Sequence, residues 1–218
     1  VNSLVYLHIL AGTIAILSGF CAPFTKKGQR AHRLLGLTFM ASILMLGLSG
    51  AIVAHVKDIP LSFMNGLLIS YFIVTSYSTI KQPAQRVHFV DKLMVIFALL
   101  LTTGFVYYAH KAANTESGEL AGFGSEAFIA FGTVAFVCTL LDFRFIYKKG
   151  LAGKQRVLRH LWRMFFPLLM STAAFFLGQA NRLPEALQQI EVLLIPVVFV
   201  VVIMMVWILI VVKGRVKN

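Results

Sequence analysis

The sequence predicts an all-α polytopic membrane protein: a seven-helix transmembrane bundle in a single domain covering 1–218, N-terminus outside and C-terminus inside. Three observations lead there. The chain is 59% hydrophobic and 13% charged, whereas soluble domains run at about 45–50% apolar and about 25% charged. Its mean hydropathy is +0.84. Seven stretches approach the roughly 20 mostly apolar residues that a helix needs to cross a bilayer, and the basic residues gather in alternate connections between them. The same facts exclude a soluble globular domain, and the 19 Phe with so few charges exclude a disordered one. Two cysteines, Cys21 and Cys138, cannot build a disulfide scaffold.

The first span, about 3–24, has no basic n-region and is too long for a signal-peptide core, so it reads as a helix of the fold. Its Ala11, Ala15 and Gly19 recur every four residues, as Gly47 and Ala51, and Gly50 and Ala54, do in the second span, about 31–55. Small residues so spaced let helix backbones approach closely in lipid. The third span runs about 61–80, the fourth 88–110, the fifth 125–147, the sixth 158–180 and the seventh 191–212. Between them lie turn and helix-start signals: Thr25 to Gly28, Lys57 to Pro60, Gln82-Pro83, Asn114 to Gly118, Lys149-Gly150 and Asn181 to Pro184. Connections this short favour antiparallel neighbours. The spans are nearly free of charge at their middles, and Pro167 and Pro196 are the clearest interruptions.

Charge sets the orientation. The connections after spans one, three, five and seven hold 17 of the 20 Lys and Arg, while the opposite side has Lys57, Lys111 and Arg182. Basic residues stay on the cytoplasmic side, which puts the protein in a cell inner membrane as a multi-pass protein. The run from Arg144 to Arg163 reads as a cytoplasmic connector whose duty in topology accounts for its charge, with anionic lipid head groups as a further contact. No nucleic-acid partner is needed to explain the net charge of +12.

Six histidines are the residues most suited to chemistry, since ionisable groups in membrane spans mark functional sites. His8, His55 and His110 fall toward the outer face; His32, His88 and His160 open spans two, four and six at the inner face. The inner set sits in a weak repeat: Gln29-Arg30-Ala31-His32, Gln85-Arg86-Val87-His88, and Gln155-Arg156 with two further residues before Arg159-His160. His55 is followed three residues later by Asp58, and His88 by Asp91, a spacing that places both on one helix face. There the acid can ligate a metal or orient the imidazole. Head-group-layer histidines with snorkelling arginines would produce much of the same pattern.

Imidazoles in two layers suit haem b, held by two axial histidines, or a His-ligated transition metal (Zn, Cu or Fe) completed by Asp58 or Asp91. Redox chemistry and electron transfer follow, with a quinone or a redox partner protein as the other reactant. His32 and His55 are 23 residues apart, so haems in both layers would lie about 33 Å apart, too far for direct relay. A non-haem, zinc-type membrane metallohydrolase is the alternative, and a transporter or assembly partner without cofactor the third reading. No HExxH motif, phosphate loop or serine-nucleophile signature favours a named enzyme, and oligomeric state is not encoded legibly.

The segment Leu7-His8-Ile9-Leu10-Ala11-Gly12-Thr13, followed by Ala31-His32-Arg33-Leu34-Leu35-Gly36, resembles the opening of a group of bacterial multi-span integral membrane proteins classed as a domain of unknown function. Those combine a histidine–glycine first helix with a His-Arg-x-x-Gly second helix. The resemblance covers mainly the first 55 residues and, less fully, the His88 helix. It implies a bacterial inner-membrane helical bundle, singles out His8 and His32, and brings no activity with it.

Overall fold

The five predicted breaks from Thr25 to Gly150 fall in turns that follow a helix, whereas the helix before the Asn181 to Pro184 break ends earlier, at Phe176. In the computed structural model, which describes residues 2–182 and 184–214, seven helices follow one another. They are α1 (Asn2–Cys21), α2 (Arg30–Val56), α3 (Pro60–Lys81), α4 (Phe89–Ala113), α5 (Ser125–Tyr147), α6 (Gly153–Phe176) and α7 (Ile190–Val212). Asp58 turns left-handed (φ 55°) after α2, and Pro60 opens α3, where its missing N–H costs nothing. Beyond α5, Lys149 (φ 53°) and Gly150 (φ 99°) turn the chain, and a Cβ on Gly150 would meet the Arg86 backbone. A two-residue antiparallel strand pair, Glu119–Leu120 with Phe123–Gly124, joins α4 to α5.

Six of these helices are long and apolar enough to cross a membrane: α1 with the turn that follows it, α2, α3, α4, α5 and α7. The chain is a multi-pass helical membrane protein. The sixth differs from expectation. Its helix starts five residues before the predicted span and ends at Phe176, because Lys154, Arg156, Arg159 and Arg163 belong to its first half rather than to a connector. The helices continue through Pro167 and Pro196.

α3 is the central element. Thirteen of its 22 residues are buried, against three of 23 in α7, whose apolar surface faces outward. One core lies between α3, α4 and α5, around Phe72, Phe105 and Phe128. A second joins α1, α2, α3, α6 and α7 around Phe39, Ile43, Ile73 and Leu168. The small residues sit where helices approach: Ala11, Ala15 and Gly19 are buried. A Cβ on Gly47 would stand 2.7 Å from the Gly66 carbonyl oxygen, so α2 and α3 cross backbone to backbone.

Four connections gather at one end. Gln85 N–H donates to the Leu151 carbonyl at 3.3 Å, and Arg156 donates to the carbonyls of Thr79, Ile80 and Gln82 at 2.7–2.8 Å. Lys154 Nζ reaches the Val212 carbonyl at 3.0 Å, and Lys27 Nζ stands 4.0 Å above the Trp207 ring. The basic connections therefore form one physical end of the bundle. Leu183 of the Asn181 to Pro184 break, and Arg215 and Lys217 of the last basic cluster, lie outside the described residues, as does the side chain of Arg182.

Candidate functional site

At the basic end, His32 is the third residue of α2, and its Nδ1 lies 3.2 Å from the Ala22 carbonyl and 3.3 Å from Thr25 Oγ1. A carbonyl only accepts, so Nδ1 carries the proton and Nε2 the lone pair. His160, eight residues into α6, repeats the arrangement. Ser76 Oγ donates to the His160 carbonyl at 3.1 Å, which leaves Nδ1–H to donate to Ser76 Oγ at 2.9 Å. His160 stands within electrostatic reach of His32 and Lys27. Lys27 shares the acceptor of His32, donating to the Ala22 carbonyl at 3.2 Å and the Pro23 carbonyl at 2.6 Å. Burial beneath Trp207 pulls the Lys27 ammonium down to about 8.

His88 serves α4 as its N-cap. Its ring accepts from Asp91 N–H while Asp91 Oδ2 accepts from His88 N–H at 2.9 Å, a reciprocal capping box. Ser78 Oγ donates to the other Asp91 oxygen at 2.7 Å. Both carboxylate oxygens are thus occupied, and the His88–Asp91 spacing is realised through the backbone rather than between side chains. The three copies of the inner repeat are not equivalent: one histidine opens its helix, one caps it and one lies two turns inside.

The opposite end is more scattered. His8 donates from Nδ1 to the Leu46 carbonyl at 3.1 Å, near Ser49 Oγ, and its ring covers Gly50. His55 is exposed beside the Phe63 ring, 5.8 Å between centroids. Asp58 lies past the end of α2 in its left-handed turn, so the shared helix face expected of this pair does not form. His110 is exposed, and its ring lies 3.3 Å from the Asn114 side-chain nitrogen. Among the described residues no three His, Cys, Asp or Glu side chains come together as metal ligands.

The strongest polar cluster is one that the sequence reading passed over. Asp142 of α5 is buried, and its Oδ1 accepts from Arg159 Nη2 at 2.8 Å and Arg163 Nη2 at 2.6 Å. Its Oδ2 accepts from the Tyr71 hydroxyl of α3 at 2.5 Å, which in turn accepts from Arg163 Nη1 at 3.1 Å. Arg163 is fully enclosed and Arg159 is 6% exposed. These two arginines are therefore packed inside the bundle, which corrects the expectation of a solvated connector and of charge-free spans. The signal was present. Asp142 is one of two acids on the basic half of the chain's topology, and Arg159 and Arg163, four apart, share a helix face.

Two hollows open near this end. One, of about 530 Å³, lies among Arg86, His88, Lys92 and Lys149. The other, of about 240 Å³, lies between α5 and α6 beside Arg144, Arg159 and Arg163. No family model, curated protein or solved structure matches the chain.

Proposed function

We propose that the protein holds a histidine-ligated haem b, or a transition metal, between His32 and His160, and serves electron transfer in a bacterial inner membrane. The N-terminus is placed outside and the basic end in the cytoplasm, where the retention of Lys and Arg puts it. Kinship with bacterial multi-span proteins of unknown function, through the His8 and His32 motifs, belongs to the same proposal. The observation that supports it is the shared tautomer. Each imidazole spends Nδ1–H on the protein and leaves Nε2 without a hydrogen bond among the described residues. Ligating histidines are oriented in this manner, with the second nitrogen donating to a carbonyl or similar acceptor.

The donor set fits a two-imidazole axial pair better than the three-ligand set of a hydrolytic zinc site, because three ligands do not converge among the described residues. Such a group, when bound, would supply one-electron redox chemistry. His32 and His160 would hold it through Nε2, Ala22 and Ser76 would fix their rings, and Lys27 would offer a cation beside them. A quinone or a redox protein on the cytoplasmic side is the proposed partner.

The test is a visible spectrum of gently purified protein, oxidised and then dithionite-reduced, with metal analysis of the same sample. A sharp reduced band is expected, lost in His32→Ala and His160→Ala but kept in His55→Ala and His110→Ala. A featureless spectrum without stoichiometric iron, copper or zinc overturns the proposal.

A further inference from the structure

We propose that the crevice between α5 and α6 binds a phosphate-bearing anion. Asp142 is the only carboxylate hydrogen-bonded to the two buried guanidinium groups among the described residues, and Asp91 lies within electrostatic reach of Arg159. Unmatched donors point to an anion. Arg159 Nε and Nη1 and Arg163 Nε are buried donors with no acceptor, although the Phe145 ring lies 3.8 Å from the Arg159 guanidinium. Native structures seldom leave buried donors unmatched, and those that remain call for a partner.

The residues that carry those donors also border open space. The crevice of about 240 Å³ is lined by Arg144, Gln155, Arg159, Trp162 and Arg163, with leucines at its walls. α5 packs on α4, whereas α6 packs on α3 and α7, so the two sequence neighbours meet chiefly through Asp142 and its arginines. Leu141, at the edge of the crevice, is 37% exposed, which gives access from the side of the bundle. Arg144 is exposed and adds a second cation at the mouth. Arg159 lies six residues from the start of α6, or about 9 Å along the axis, near the depth of a lipid head group. A monoanionic phosphodiester would accept from a guanidinium fork, the geometry that arginine suits best.

A membrane phospholipid and free phosphate share this chemistry, and the test separates them. The detergent-purified full chain is titrated with phosphatidylglycerol and with phosphatidylcholine, read by native mass spectrometry. Delipidated protein is titrated with inorganic phosphate by calorimetry. We expect the anionic lipid to be preferred about tenfold, with the preference falling toward parity in Arg159→Gln and in the exposed Arg144→Gln, and unchanged in Lys111→Gln at the opposite end. Retention of phosphatidylglycerol against excess inorganic phosphate assigns the site to lipid. Saturable phosphate binding that displaces the lipid and is lost in the same variants assigns it to the free anion. Equal treatment of the two lipids by wild-type protein, with no phosphate binding, overturns the proposal.

Discussion

The two ends of the bundle are held together by different chemistry. At the basic end helices are joined by charged and polar side chains that reach across: Arg156 to the last carbonyls of α3, Ser78 to Asp91, and Asp142 to α3 and α6 through Tyr71, Arg159 and Arg163. Toward the opposite end the joints are glycines. Gly47 meets Gly66 backbone to backbone, the Gly50 surface carries the His8 ring, and Gly104 seats Met64. The lesson is that residues of the same type serve different purposes at the two levels. Three histidines stand toward each end, and the Nδ1 tethers of His32, His160 and His8 go to Ala22, Ser76 and Leu46.

The largest effect expected from this contrast is at Asp142. Asp142→Asn leaves two buried guanidinium groups without their carboxylate, a loss of about 3–5 kcal/mol for breaking a buried pair. Asp58→Asn, exposed at the other end, changes stability by no more than about 0.5 kcal/mol. Thermal unfolding in detergent measures both, and equal midpoints for the two variants would erase the distinction. Next comes the glycine joint. A Cβ on Gly66 would stand 2.5 Å from the Gly47 carbonyl oxygen, whereas one on Gly36 meets nothing within 4 Å. Gly66→Leu is expected to cost about 1–3 kcal/mol from overpacking, with Gly36→Leu near wild type in the same assay.

The smallest effect concerns Lys27. With its ammonium pulled down to about 8 by burial, against 10.5 for an ordinary lysine, the unfolded chain binds more protons than the folded one between those values. The contribution of Lys27 to stability therefore increases as pH rises through this window, and falls as pH drops through about 8. Reductive methylation mapped by mass spectrometry across pH 7–11 is expected to show Lys27 losing its proton well below the 10.5 of an ordinary lysine. Titration of Lys27 near 10.5 would remove any special environment at the basic end.

Much of the fold was legible because the bilayer imposes a length and a composition on each helix. The fifth span coincides with α5, and the others lie within a few residues except the sixth. That one failed for a physical reason: hydropathy averages a window and treats each arginine as solvated, whereas Arg159 and Arg163 have a carboxylate, a tyrosine and aromatic faces to sit against. The histidines were found by type, and their tethers were not, since Ala22, Ser76 and Leu46 are ordinary positions in the sequence. The i, i+3 argument held in spacing for His88 and Asp91 but became a helix cap. It failed for His55 and Asp58 because α2 ends between them.

The placement of Arg159 and Arg163 has a consequence for biogenesis. A translocating ribosome delivers α6 to the membrane as an isolated segment, and Arg163, near its middle, then opposes lateral release into lipid by about 3 kcal/mol, with Arg159 nearer the end adding less. The groups that accept those charges, Asp142 and Tyr71, belong to α5 and α3, both synthesised earlier. α6 is thus a segment whose integration depends on helices already waiting beside the insertion machinery, and α3 with α5 acts as the intramolecular chaperone that admits it.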